Sequence, residues 1–316
     1  MLPIVLVCLF VACNSDAKEG SAAQRGSSAA ATSAGRTSTG FSGTAAYDYA
    51  KTQVAFGPRV PGTSAAKQAG DWIIRQMRAR ADTVIVQSFT HTTADGKRLP
   101  LRNILAQFRP ELTERVLYVT HWDSRPVSES ATTEAEKKMP VPGANDGASG
   151  VGLFVALGDV LKKTKPNVGV DLLFTDGEDY GQFGPPEVDV LIGSKYFAEH
   201  PPSPGYKPLY GVLWDMIGDK DLRIPYEMNS FQQAPEVVSR VWQTAADMGY
   251  GDVFVQESGG LVVDDHIPLL NSGMRVIDVI DLDYPPHHTP QDTMDKISAK
   301  SLATVGDVAT ALVTRK

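Results

Sequence analysis

Three carboxylates crowd into four residues at Asp176-Gly177-Glu178-Asp179, directly after the apolar run Leu172-Leu173-Phe174 and Thr175. Adjacent carboxylates repel unless a cation or a proton relieves them. The cluster is therefore either a solvated acidic turn or one side of a site that holds a cation. Other apolar runs end in related chemistry. His121-Trp122-Asp123 closes one, Asp215 closes another, His288 follows a third, and Asp146 sits in a loop ahead of a further apolar stretch. Histidine nitrogen together with carboxylate oxygen suits zinc. Singly, each residue has a plainer reading. A histidine at a strand end is most often a surface or hydrogen-bonded residue, Asn145-Asp146-Gly147 reads as a turn, and Asp215 can cap a turn or pair with Arg223. Their shared placement at strand ends favours the metal, because open α/β sheets build their sites on that edge.

The elements that must position these residues follow from the pattern of apolar positions. Residues 45–56 read as a helix stopped by Gly57-Pro58, and Ser64 as the cap of a second helix reaching about Arg80. Residues 84–92 and 103–108 read as a hairpin at a sheet edge, turning at Ala94-Asp95-Gly96. From Val116 onward strands alternate with helices. Residues 116–120, 170–175, 209–213 and 276–280 are strands, and 253–255 is a short one. Residues 148–163 are apolar nearly all round, which predicts a buried helix. Helices are also expected over 193–199, 234–248 and 298–314, with a short one after Asp264-Asp265-His266. Residues 125–142 form a long charged loop. Such alternation predicts an α/β fold, a single domain with a mostly parallel central sheet and helices on both faces. No internal repeat is visible.

The chain has 316 residues, 42% hydrophobic and 21% charged, with a formal net charge of −7. That acidic balance argues against a nucleic-acid partner. Its two cysteines, Cys8 and Cys13, lie in an apolar leader too short to span a bilayer comfortably. Phe10-Val11-Ala12-Cys13 resembles a bacterial lipoprotein signal, so residues 1–12 are expected to be removed and Cys13 lipidated. An ordinary secretory peptide is the alternative. Residues 13–43, rich in Ser, Ala, Gly and Thr, are expected to be a disordered tether, leaving 44–316 as the folded domain. The expectation is an exported protein on a bacterial membrane, facing the periplasm or the outside and touching lipid only through that anchor.

Taken together, His121-Trp122-Asp123-Ser124, Gly143-Ala144-Asn145-Asp146, Asp176-Gly177-Glu178-Asp179, Gly193-Ser194-Lys195-Tyr196, Trp214-Asp215-Met216-Ile217-Gly218, Asp264-Asp265-His266-Ile267-Pro268 and His288-Thr289 resemble, in order, the zinc aminopeptidase and glutaminyl cyclase superfamily. The resemblance implies a phosphorylase/hydrolase-like fold. It implies Asp146, Asp179 and His288 as ligands of one zinc, and His121 and Asp215 as completing a second zinc in the aminopeptidases, with Asp146 bridging. It implies Asp123 as the carboxylate orienting His121, and Glu178 as the catalytic acid/base. Position 179 departs from the usual Glu-Glu pair: Asp is one methylene shorter, yet still a competent zinc ligand. The resemblance also implies a non-proline cis bond at Asp146–Gly147.

Two reactions fit this set. In an aminopeptidase, zinc activates water and Glu178 takes its proton. In a glutaminyl cyclase the substrate's own amine attacks its side-chain amide, with Glu178 shuttling the proton. The segment from Asp264 to Leu270 looks closer to the cyclases, in which Asp264 would join Asp215 in a hydrogen-bonded carboxylate group. That reading expects one zinc, with Glu178, Asp215 and Asp264 catalytic. His287 stands where the cyclases carry a pocket tryptophan, so Trp122, Phe183 and Tyr284 are expected to supply the aromatic wall. A non-catalytic binding module on this fold is the third reading, but none of the ligand positions is replaced by an apolar residue. Peptide or protein N-termini are the expected substrates, and a monomer the expected state.

Overall fold

The computed structural model describes residues 35–315. The expected signal, the lipidated Cys13 and the tether as far as residue 34 lie outside the described residues. Helix α1 (Gly43–Val54) is capped by Ser42, and α2 (Ser64–Arg78) by Thr63, whose hydroxyl accepts from Ala66 N; the cap stands one residue ahead of the expected Ser64. Strands β1 (Thr83–Thr92) and β2 (Arg98–Phe108) form the expected hairpin. Then come β3 (Arg115–His121), α3 (Ala148–Leu161), β4 (Gly169–Thr175), α4 (Ile192–Glu199) and β5 (Tyr210–Asp215). The chain continues through β6 (Ile224–Tyr226), α5 (Met228–Gln233), α6 (Pro235–Asp247) and β7 (Phe254–Ser258). It closes with α7 (His266–Asn271), β8 (Val276–Ile280) and α8 (Ala299–Thr314). No helix of the described residues is long and apolar enough to cross a membrane.

The main sheet is six-stranded in the order β1-β2-β4-β3-β5-β8. β4, β3, β5 and β8 run parallel, while β1 and β2 are antiparallel additions on one side. The sheet is thus mixed but mostly parallel. β3, β4 and β8 are buried along their whole length, which explains their unbroken apolar runs. Alternate side chains serve opposite faces. Val116, Tyr118, Leu172, Phe174, Val212 and Trp214 join one core with Phe154 of α3 and Val305 of α8. Leu117, Val119, Leu173 and Leu213 join another with Phe197 of α4 and Leu269 of α7. A Cβ on Gly150 would collide with the Thr120 hydroxyl and the Trp214 carbonyl, so α3 lies as close to the sheet as a helix can.

Residues 36–41, expected to be disordered, are packed instead. Arg36 pairs with Asp252 at 2.6 Å, Thr39 N–H donates to Asp307 at 2.7 Å, and Phe41 is buried against Gly306. One aromatic ring and a few polar partners suffice to order a Ser/Thr/Gly-rich segment whose composition alone predicts disorder. β6 and β7 form a separate parallel pair. With three residues and a central Pro225, β6 has no pattern that marks it as a strand.

Candidate metal centre

The carboxyl edge of the parallel strands gathers the expected residues. His121 ends β3, Glu178 and Asp179 follow β4, Asp215 ends β5, His288 follows β8, and Asp146 precedes α3. All six are buried. His121 Nε2 stands 2.9 Å from Asp146 Oδ1 and 3.1 Å from Asp215 Oδ1, while His288 Nε2 stands 3.4 Å from Asp179 Oδ1 and 3.7 Å from Asp146 Oδ2. Close as they are, both His121 nitrogens, Asp146 Oδ2, Asp179 Oδ2 and Asp215 Oδ1 have no hydrogen-bond partner in the protein. Buried polar atoms are rarely left so, and several converging at one point are what a bound cation satisfies. The donor set therefore fits zinc.

Ligand atoms lying within 4.8 Å of one another form the groups His121–Asp146–Asp215 and Asp146–His287–His288 among the described residues. Asp179 stands beside these groups. Its side chain is one methylene shorter than Glu, and its Oδ1 accepts from Arg125 at 2.7 Å. Arg125 also pairs with Glu129 at 2.7 Å, and Glu129 Oε1 lies 2.8 Å from His288 Nδ1. The ring Arg125–Glu129–His288–Asp179 orients a candidate zinc histidine through its second nitrogen. Arg125 and Glu129 were legible only as charges in a loop; their spacing of four residues is the one available signal.

Asp146 is set by its backbone. Asn145 N–H donates to Asp292 Oδ1 at 2.8 Å and Asp146 N–H to Asp292 Oδ2 at 3.2 Å. The Arg59 guanidinium donates to the carbonyls of Pro142 and Gly143. The Asp146–Gly147 bond, expected to be cis, is not: among the described residues only Pro185–Pro186 is. Gly147 makes the turn with a φ of 89°, which glycine adopts without strain. Asp292 and Arg59 escaped notice because their partners lie far away in sequence.

Asp123 does more than face His121, whose Nδ1 is 3.5 Å away. Its oxygens accept the N–H groups of Glu178 and Asp179 at 3.1 and 3.2 Å. Two non-glycine residues at the site, Met216 and His288, have φ of 48° and 54°. Such left-handed backbone costs about 1–3 kcal/mol and persists where surroundings fix it.

A cavity of about 670 Å3 opens onto these groups, lined by Glu178, Asp215, Asp264, Phe183 and His287 among others. Val127, Leu261, Val263 and Leu282 line it while remaining exposed. Trp122 and Tyr284 do not line it, contrary to expectation. Trp122 follows His121 in a strand-end alternation and so points the other way, its indole N–H donating to the Arg102 carbonyl at 3.3 Å beneath a separate cavity. Tyr284 turns inward and donates to Asp292 at 2.7 Å. The aromatic wall is therefore Phe183 with the imidazoles, Phe183 lying 6.4 Å from His288 and His287 3.7 Å.

Electrostatics divide the groups by task. Burial opposes a charge on His121, but Asp215, Asp123 and Asp146 outweigh it and raise its pKa well above the ordinary value. Burial likewise opposes a charged His288, and Asp179, Glu129 and Asp146 overcome it to push the group up to about 10. Burial raises Glu178 well above the usual carboxylate range; His121 opposes this, and Asp264, Asp179 and Asp265 reinforce it. Asp264 is also raised well above that range, by burial and then by Asp215 and Asp265. A buried carboxyl whose hold on a proton is strengthened in this way is suited to accept one and return it in acid/base work.

Residues 103–313 match the model of peptidase family M28. Glutaminyl cyclase of Porphyromonas gingivalis is 38% identical, with a TM-score of 0.83 over 86% of this chain and 97% of that one. A zinc-dependent exopeptidase of Parabacteroides distasonis is 34% identical, with a TM-score of 0.82 over 87% and 99%. Aminopeptidase YwaD of Bacillus subtilis is 24% identical over 272 residues, which are 80% of this chain but only 51% of that protein. Buried histidines and carboxylates at the strand ends, a cation-seeking charge balance and these likenesses agree: the chain belongs to peptidase family M28, within the zinc aminopeptidase and glutaminyl cyclase superfamily.

Proposed function

We propose that this chain is a glutaminyl-peptide cyclotransferase that converts the N-terminal glutamine of peptides to pyroglutamate with release of ammonia. The observation that carries this reading is Asp264. It lines the same cavity as Glu178 and Asp215, and both burial and Asp215 oppose its ionisation. A proton held by Asp264 and shared with Asp215 would make the two a carboxyl pair and weaken Asp215 as a ligand for a second metal ion. Asp146, Asp179 and His288 would hold one zinc, which when bound supplies a Lewis acid for the glutamine side-chain amide.

The chain's own groups supply the rest. Glu178 takes a proton from the substrate's α-amine as that nitrogen forms a bond to the side-chain carbonyl carbon. The same carboxyl then gives the proton to the amide nitrogen as the carbon–nitrogen bond breaks, and ammonia leaves. No water is consumed, so a partly apolar cavity serves the reaction. A second reading, a two-zinc aminopeptidase, is favoured by the close grouping of His121, Asp146 and Asp215.

Measuring ammonia release from a glutaminyl dipeptide beside hydrolysis of a leucyl amide separates them. We expect ammonia release to dominate; amide hydrolysis with no ammonia from glutamine would establish the second reading instead. The leader leads us to propose that the enzyme is exported.

A further inference from the structure

A second cavity, of about 710 Å3, lies beside the first. Val262, Ile280 and Leu282 line both, so residues 280–282 leaving β8 form their shared wall. Asp281 is the centre of that wall and lines only the second cavity. It is 1% exposed, and its Oδ1 has no hydrogen-bond partner, while Oδ2 accepts from Arg223 N–H at 2.8 Å. Asp219, Asp221 and Asp283 line the same cavity. Of the cations there, Arg223 is engaged by Glu257 at 2.5 Å and Lys296 by Asp295 at 3.1 Å, and the exposed Lys220 alone does not match the four aspartates. A buried carboxylate oxygen without a partner is costly, and a cavity whose lining holds Asp281 with three further aspartates suits a cationic visitor.

A single metal ion is a poor match. The aspartates do not bring three ligand oxygens within 4.8 Å of one another, as the groups at the metal centre do. A longer cation with several donors can bridge them. The wall it must cross is apolar, and Leu282 is exposed there. Lysine and arginine lay their methylene stems on such surfaces and extend the charged head beyond.

We propose that this cleft receives the lysine or arginine side chain of a substrate peptide, with Asp281 and Asp283 as the residues that select it. The inference rests on the reading that the neighbouring site takes peptide N-termini. An extended chain advances about 3.4 Å per residue, so the selected side chain belongs to one of the few residues that follow the first.

Calorimetry on zinc-loaded Glu178→Gln protein tests this without turnover. The probes are Gln-Ala-Ala-Ala amide and its variants with arginine or glutamate in turn at positions two, three and four. We expect arginine to bind about tenfold more tightly than glutamate at one position, the scale of a close charge pair across an interface. Raising sodium chloride from about 50 to 500 mM should shrink the difference. Asp283→Asn, at an exposed position, should reduce it several-fold, and Asp281→Asn with Asp283→Asn should bring arginine and glutamate within about twofold. Equal affinities at all three positions, no peptide binding at all, or a preference that survives both substitutions would overturn the proposal. Ammonia release by the unsubstituted protein is measured separately. Its absence with the charge preference intact sinks the cyclase reading and leaves the cleft assignment standing.

Discussion

The carboxylate of Asp123 accepts the backbone N–H of Glu178 at 3.1 Å, tying the end of one central strand to the turn that follows the next. Its other oxygen holds Asp179 in the same way, and the side chain still stands 3.5 Å from His121 Nδ1. Asparagine at this position would present an amide N–H to one of those donors. We expect Asp123→Asn to fold and to lose about 10- to 100-fold in kcat/KM, the usual effect of disturbing a group that orients metal ligands. An unchanged rate would show that the turn is held by other means.

Glu178 and Asp179 are neighbours with separate tasks. Glu178→Gln should keep zinc and fold but lose two or more orders of magnitude in kcat, the scale of a lost general base. Asp179→Ala should lose zinc as well if Asp179 is the ligand we propose, and it also strands Arg125 beside His288. Equal zinc content in the two variants would contradict this division.

Metal content distinguishes the two reactions. We expect one zinc per chain at neutral pH after dialysis against dilute zinc, and expect His121→Ala to retain it. Two ions, with His121→Ala losing only one, would support the aminopeptidase.

Zinc affinity should also depend on pH in a defined direction. In the metal-free protein His288 is raised to about 10, so it carries a proton that zinc must displace throughout the neutral range. Affinity should rise by about tenfold per pH unit for each proton displaced. The rise should continue through the neutral range up to about pH 10 and level off above it. Titrations in buffers of different ionisation enthalpy at pH 7 should register the released proton; no buffer dependence would exclude a protonated His288.

A stability effect is expected away from the metal. Burial would raise Glu227, but His266 Nε2 at 3.2 Å and the Ser230 hydroxyl hold it down at about 2. A depressed carboxylate stabilises the fold above its unfolded pKa, and that contribution disappears as pH falls through the folded value. Glu227→Gln should therefore cost about 1–3 kcal/mol at pH 7. The gap from the unsubstituted protein should narrow between roughly pH 4.5 and 2. Urea unfolding at pH 7 and pH 3 checks it, and a gap constant with pH would refute the assignment.

The architecture was largely legible because its signals are local. The unbroken apolar runs of β3, β4 and β8 and the all-round apolarity of α3 follow from burial on every side, which needs no knowledge of the partner. The strand-end histidines and carboxylates were legible for the same reason, since a parallel sheet brings all its carboxyl ends to one edge. What escaped depends on pairing across the chain. Nothing near Arg59, Glu129 or Asp292 announces the carbonyls, imidazole or amide groups they meet. Trp122 and Tyr284 were identifiable as aromatics near the site, but side-chain direction is settled by packing, and both turn away from the cavity.

The segment ahead of α1 has a mechanical consequence. Tension on the chain before residue 35 would enter the domain through Arg36 on Asp252, Thr37 on the Met248 carbonyl, Thr39 on Asp307, and Phe41 seated on Gly306. These anchor points belong to the exit of α6 and to α8, which carry none of the metal-centre residues. On a tethered chain the segment would serve as a strain relief. A tug would meet these hydrogen bonds and one ring on the outer helices ahead of the strand ends that hold His121 and Asp215.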